Sequence, residues 1–533
     1  MALQLLLLLL LTVSSECLTV GKKFVAVFPE NIAFYHPSLP QNLLRVTALH
    51  DNTHVHVTND LGLSLEGRDL QSGDSRTFKI DASLELSRTN LTHKVVSVQG
   101  DKPIAVEILS QKNKSIQTAL LLPLEQLGKE YLVPPIPQIL RTTMPQSNVT
   151  NEVTERSFFK LILVNGDEDN SITGPGGTDG GGGPISLKPR QVEQVWVEHS
   201  MVGTLVSGTA RFLALFAHTC AVVLDCTCAL LYTPLGPQNP NTSTFIVPSG
   251  LGQGHTFLLK ASGGLKEEKL SSSGVKFEAP GPVVLQGPGR LLNLIPEEEF
   301  GSCFAVHTVA DADNWAVVMA PTDSKDHVRM NNDPLTVSWT QVTATNYSWT
   351  NVPLTNRPNK TVFWHRSSLM AVWFLGQDAG AEFGNPAARL SETPDYRGCV
   401  VVPETLEVLD EQLSWQKSIQ TCREKKMELI SLKDLELQDH VYHKIQDLSI
   451  RDLNQTKLWM GLRRSSYSGR WYWISEEPLV HVDWAPGSPG SEDEGPCGQI
   501  SFKDPKGPNW THQDCCSEAR PVCYRHPKLL KLD

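Results

Sequence analysis

Three groups of side chains in this sequence carry atoms that could bind a metal ion. Glu492, Asp493 and Glu494 crowd carboxylates onto a Ser-, Gly- and Pro-rich stretch between Trp484 and Cys497. Asp167, Glu168 and Asp169 precede the glycine-rich stretch 174–183, and Asp179 lies within it. Either set could serve Ca2+, a hard cation that takes about six to eight oxygen ligands in flexible geometry. His50, His54 and His56 could serve zinc, because His54 and His56 fall on one face of a strand, although no further ligand stands at motif spacing. The plainer reading of each group weighs more: acidic residues on a glycine-rich tip are usually solvated loop residues. No Gly-x-Ser-x-Gly elbow, His-Glu-x-x-His helix or phosphate-cradling loop occurs, and the scattered His and Asp residues form no local catalytic motif. The chain is therefore read as a binding protein; a secreted hydrolase is the distant alternative.

The elements that would position these groups are well bounded. At 533 residues and 40% hydrophobic, the chain can bury the cores of two to four domains. A net charge of -11 argues against nucleic acid or an anionic membrane as the main partner, since both require a basic face. Leu3 to Val13 is an apolar run of signal-peptide length, and residues 1–17 are read as a cleaved leader. No later run is long enough to span a membrane. Loss of Cys17 leaves ten cysteines, an even number suited to an oxidising compartment. Asn-x-Ser/Thr sequons stand at Asn90, Asn113, Asn148, Asn241, Asn346, Asn359, Asn454 and Asn509, potential glycan sites in an exported chain. The expectation is a secreted, soluble, extracellular glycoprotein.

Residues 18–377 show short apolar runs rich in β-branched residues, broken by Gly, Pro, Asn and Asp every 8 to 15 residues. That is the pattern of an all-β region. Gly21-Lys22-Lys23-Phe24-Val25 is echoed by Gly128-Lys129-Glu130-Tyr131-Leu132-Val133-Pro134-Pro135, and more faintly by Thr244 to Pro248. The repeat of about 100 residues suggests propeller-like or stacked β modules. These units, with Phe158 to Val164 and His218 to Pro234, resemble the N-terminal domain of the IgG Fc-binding protein family of mucus-associated proteins. The resemblance implies a Cys220–Cys226 bridge, and it suggests Fc or mucin as a partner. Cys228 stands where the family has His and needs another partner, for which Cys303 is the nearest candidate.

Residues 378–397 are rich in Ala, Gly and Pro and read as a linker. Beyond it, Trp415, Ile419 and Cys422 fall on one helical face after Ser414 as N-cap, and Leu437, Val441 and Ile445 follow a capping Asp434. Six of the chain's 12 Trp residues lie from Trp415 to Trp510. So much aromatic area makes residues 398–526 a compact domain, with residues 527–533 as a tail.

Trp459-Met460-Gly461-Leu462 and the late cysteines resemble the C-type lectin-like family. The resemblance implies an α+β domain, with bridges Cys422–Cys523 and Cys497–Cys515. It leaves Cys399 and Cys516 over, either bridged to each other or linking two chains as a covalent dimer. Sugar-binding members hold one Ca2+ with a loop triplet, a later Glu and an Asn-Asp pair. Here Ser488, Gly490, Gly495, Thr511 and His512 stand at those positions, so all five protein ligands are replaced and no cofactor is expected. A displaced calcium site using Glu492, Asp493 and Glu494 is the alternative. The function expected is recognition or adhesion, mucosal or in innate defence, through calcium-independent contact with an extracellular protein or glycoprotein.

Overall fold

The computed structural model describes residues 19–87, 91–136, 159–174, 183–198, 201–224, 227–238, 241–252, 256–260, 274–287, 289–354, 359–378, 381–448, 450–491, 494–504 and 507–532. The leader, Asn90, Asn148, Asp179, Cys226, Glu492 and Asp493 lie outside them. The chain divides into two units, Met1–Val401 with Leu529–Asp533, and Val402–Lys528. Among the described residues no helix is long and apolar enough to cross a membrane.

The first unit is built of antiparallel sheets of two to seven strands. Its apolar runs are continuous because its sheets are layered. In the strand Lys160–Asn165 every residue is buried. Ile162 and Val164 join one core with Leu44, Val46 and Val106, whereas Leu161 and Leu163 join a second with Phe212 and Phe216. Side chains alternate faces along a strand, so a strand covered on both faces must be apolar at consecutive positions. The strand Asp313–Pro321 repeats this arrangement, with Val318 and Ala320 facing one core and Val317 and Met319 the next. The internal echo has a packing counterpart: a Cβ on Gly21 would lie 2.3 Å from Cβ of Pro123, and one on Gly128 would lie 2.4 Å from Cβ of Pro237.

Residues 378–397 are not a linker. They contain the strands Ala381–Pro386 and Ala388–Ser391, both paired into five-stranded sheets. Their small residues permit close approach rather than flexibility: a Cβ on Gly384 would meet the Phe374 carbonyl oxygen at 2.3 Å, and one on Gly376 the Phe383 ring at 2.3 Å. Nor is the C-terminus a free tail. The Leu530 N–H donates to the Cys399 carbonyl at 2.7 Å, and Leu530 is buried with Leu49, Trp364 and Leu390.

Three cysteine expectations are corrected. Cys220 pairs with Cys228, not Cys226, across the hairpin of strands Phe212–Leu224 and Thr227–Pro234, with Cα atoms 5.0 Å apart. That pairing removes Cys228 as a partner for Cys303. Cys303 instead bonds Cys399, at a Cα distance of 5.5 Å, leaving Cys516 free and exposed, so no Cys399–Cys516 bridge forms.

The imagined metal groups are otherwise engaged. Asp167 pairs with Lys23 and Arg190, Asp169 with Lys188, and His56 with Glu66. Among the described residues no group of three His, Cys, Asp or Glu side chains could hold a metal ion.

One histidine gives the first unit a specific acid response. His365 Nδ1 accepts the N–H groups of Ser367 and Ser368 at 3.2 and 3.0 Å, which only a neutral imidazole can do. Burial, with the neighbouring His327 charge, pushes its pKa down to about 4. Its contribution is fully present above the unfolded value near 6.5 and is lost as pH falls through about 4. We expect urea denaturation of the parent to weaken by roughly 2 kcal/mol more than His365→Gln across that window. Parallel pH profiles for the two proteins would contradict this.

Candidate recognition site

The second unit places a long loop, residues 475–496, between the strands Trp471–Trp473 and Cys497–Ser501. Helix α1, Trp415–Glu424, starts where Ser414 accepts from the Lys417 N–H, and helix α2, Leu435–Asp447, where Asp434 accepts from the Leu437 N–H. The central strand Leu458–Arg464 locks both sides: Trp459 Nε1 donates to the Leu413 carbonyl at 2.7 Å, and Trp415 Nε1 to that of Met460 at 2.9 Å. Disulfides join Cys422 of α1 to Cys523 of the strand Arg520–Arg525, and Cys497 to Cys515.

The loop is pinned to this frame at Asp483, Trp484 and Ala485. The Trp510 N–H donates to the Asp483 carbonyl and the Ala485 N–H to that of Trp510, at 2.7 and 2.8 Å. The Trp484 ring lies 4.8 Å from Trp471 and 5.7 Å from Trp510, centroid to centroid. A polar relay ties the same point to α2. Gln438 Nε2 donates to Asp483 Oδ2 at 2.9 Å, Trp510 Nε1 donates to the Tyr442 hydroxyl at 3.0 Å, and Tyr442 donates to Asp483. Burial raises the Asp483 carboxyl pKa and pushes the Tyr442 phenol well above its usual range. Gln438, Tyr442 and Asp483 escape sequence reading individually; the visible signal is the four-residue spacing of Gln438 and Tyr442 on one helix face.

Beyond this anchor, four of the singled-out residues converge. Ser488 Oγ lies 3.2 Å from His512 Nδ1, the Gly490 N–H points at His512 Nε2 at 3.3 Å, and Glu494 Oε2 lies 3.4 Å from the same nitrogen. The His512 side chain is only 11% exposed, against 59% for Glu494. Arg464 Nη1 supports the turn by donating to the Gly490 carbonyl at 3.4 Å. Gly495 stands apart, with φ at 120° and no room for a Cβ beside the end of the strand Asn509–Gln513. Thr511, opposite Gln499 in register, is half-buried in that strand.

A model of the family described as "Lectin C-type domain" matches residues 411–525. Residues 411–525 are a C-type lectin domain. Human C-type mannose receptor 2 is 27% identical over 115 residues, 22% of this chain and 7% of the receptor. Human C-type lectin domain family 4 member A is 26% identical over 116 residues, 21% of this chain and 46% of that protein. The chain thus spans less than a tenth of the mannose receptors it matches and about half of the family 4 protein. Among solved structures, human lithostathine is 20% identical with a TM-score of 0.20, covering 23% of this chain and 90% of that one.

Within the C-type lectin domain, the two glycines expected at calcium-ligand positions resist substitution to different degrees. A Cβ on Gly490 would meet Glu494 Oε2 and His512 Nε2, side-chain ends that can swing away. A Cβ on Gly495 would lie 2.2 Å from the Gln513 carbonyl carbon and 2.4 Å from the Asp514 nitrogen, both backbone. The positive φ adds strain for any other residue. We expect Gly495→Glu to cost about 2 to 4 kcal/mol and Gly490→Asp less than about 1 kcal/mol in denaturant unfolding of the lectin domain. Equal costs at the two positions would overturn this.

Proposed function

We propose that this chain is an exported recognition protein whose C-type lectin domain binds a protein or glycoprotein partner without calcium. The observation that carries the reading is His512, enclosed by Ser488, Gly490 and Glu494 where sugar-binding relatives place carboxylate and amide ligands. An imidazole held this way offers no cluster of hard oxygen donors. Around it the loop presents Val480 and Val482, 69% and 57% exposed, and a hairpin tip presents the fully exposed Tyr467. Apolar and aromatic groups of this kind suit surface recognition.

Export is supported by the leader, by four disulfides, and by sequon residues Asn113, Asn241, Asn346, Asn359 and Asn454, all exposed; Asn509 is half-buried. The exposed Cys516 thiol supports a disulfide-linked dimer. The layered β unit suits the IgG Fc-binding-like, mucosal setting suggested by the echoed segments, as a platform of stacked modules.

The test uses the full glycoprotein on an array of glycans and extracellular proteins, with and without EDTA, beside calorimetry with Ca2+. Binding insensitive to EDTA and no heat at millimolar Ca2+ are expected. Heat of Ca2+ binding lost on Glu494→Gln would instead establish the displaced acidic site.

A further inference from the structure

The first unit contains a polar cleft of about 740 Å3, and its described lining holds three cationic side chains, Arg45, Arg76 and Lys360, against one carboxylate, Asp74. Strand register builds one wall. Across antiparallel pairs Arg45 lies opposite Glu107 on one side and Thr77 on the other, and Thr47 lies opposite Ser75. Directly opposed residues project from the same face of a sheet. His307, at the end of the strand Cys303–His307 and opposite Lys360 in register, closes over this face. Its Nδ1 lies 2.8 Å from Glu107 Oε2 and its Nε2 3.0 Å from Ser75 Oγ.

The Glu107 carboxylate is therefore engaged by histidine rather than by its cross-strand neighbour. Arg45 is half-buried and lines the cleft, and its guanidinium makes no hydrogen bond among the described residues. Its guanidinium presents five N–H donors in a fixed fork. Burial lowers its pKa, with Glu107 only partly opposing, as expected of a cation drawn from water without a direct counter-ion. Arg76 and Lys360 line the same cleft, Arg76 lying 5.6 Å over the Phe78 ring and Lys360 donating to the Gly73 carbonyl. Asp74 is the opposing carboxylate in the lining, and its Oδ2 already accepts the Gln71 N–H at 2.8 Å. Among the described lining residues cationic side chains thus outnumber carboxylates, in a chain of net charge -11. Ser75, Thr77 and Thr308 add hydroxyls.

We propose that this cleft binds an acidic saccharide, its carboxylate or sulfate oxygens gripped by Arg45 with Arg76 and Lys360, and its hydroxyls met by the Ser and Thr side chains. A forked guanidinium matches two coplanar oxyanion oxygens, and the hydroxyl-rich walls suit a sugar better than an apolar anion. The cleft is also of the size typical of sites for one or two sugar residues.

The test is calorimetry on the full chain after enzymatic removal of N-glycans, because Asn359 lies on the cleft lining and its sequon could place a glycan there. The probes are sialyllactose, a sulfated heparin disaccharide and inorganic sulfate. One of the two saccharides should bind, more weakly as salt rises, and about tenfold or more weaker in Arg45→Met. Arg76→Ala, at an exposed residue whose loss should leave the fold intact, should weaken binding by about threefold, and Asp74→Asn should tighten it by about as much. Tyr467→Ser in the lectin domain should leave it unchanged. The sialylated and sulfated arms separate the two sources of the oxyanion. No binding by either saccharide, binding of inorganic sulfate only, or equal affinity in Arg76→Ala overturns the proposal. Loss of binding in Tyr467→Ser would place the saccharide on the lectin domain instead.

Discussion

Cys399→Ser should lower the stability of the first unit by about 4 kcal/mol while leaving the C-type lectin domain folded. The Cys303–Cys399 bridge closes a loop of sequence separation 96, and a constraint that long removes much of the entropy of the unfolded chain. Both half-cystines are buried in a core with Leu49, Trp364 and Leu530, so the bridge also fixes the chain where its C-terminal segment docks. The lectin domain keeps its own bridges, Cys422–Cys523 and Cys497–Cys515. Chemical denaturation, with protease resistance reporting on each unit separately, checks the magnitude. Peptide mapping under non-reducing conditions checks the assignment: a Cys303–Cys399 linked peptide and a thiol-labelled Cys516 are expected. A linked peptide joining Cys399 to Cys516 would falsify it.

The second large effect is at Arg290. Its guanidinium is fully buried, lies 2.9 Å from Glu382 Oε2, and also donates to the Leu251 carbonyl. Burial lowers the arginine pKa and Glu382 opposes that. Removing one partner strands the other charge away from water, which costs roughly 3 to 5 kcal/mol, whereas replacing both by apolar groups of similar volume is often neutral. Arg290→Met and Glu382→Leu should each lose about that much in urea unfolding, and the double variant should recover most of it. If the double variant loses the sum of the singles, the pair is not acting as a coupled unit.

The two halves of the chain differ in how legibly they are written. Ser414 and Asp434 mark their helices because capping is local, a side chain meeting an N–H three residues on. The lectin domain is legible because its tryptophans carry large apolar area that must be buried, and the indole N–H groups of Trp415, Trp459 and Trp510 find acceptors as they do so. The stretch 378–397 misleads for an equally physical reason. Gly384, set against the Phe374 carbonyl where no Cβ would fit, gives that stretch the look of a flexible connector. Cysteine pairing is illegible because hairpin register rather than spacing sets it, as where Cys220 bonds the cross-strand Cys228 eight residues away.

Sequence alone determined that the first region is β, because its short apolar runs rich in β-branched residues, broken by Gly, Pro, Asn and Asp every 8 to 15 residues, suit strands. It also shows two glycines, a serine, a threonine and a histidine where the family resemblance leads one to expect calcium ligands. Tertiary structure decided what those residues do, since only the convergence of the loop on the strand Asn509–Gln513 sets His512 among Ser488, Gly490 and Glu494. It likewise decided the cleft at Arg45, where register places a cation beside a carboxylate that a histidine 200 residues away has already taken. Both outcomes depend on which distant strands become neighbours, and that is a property of layering and register, not of any local run of residues.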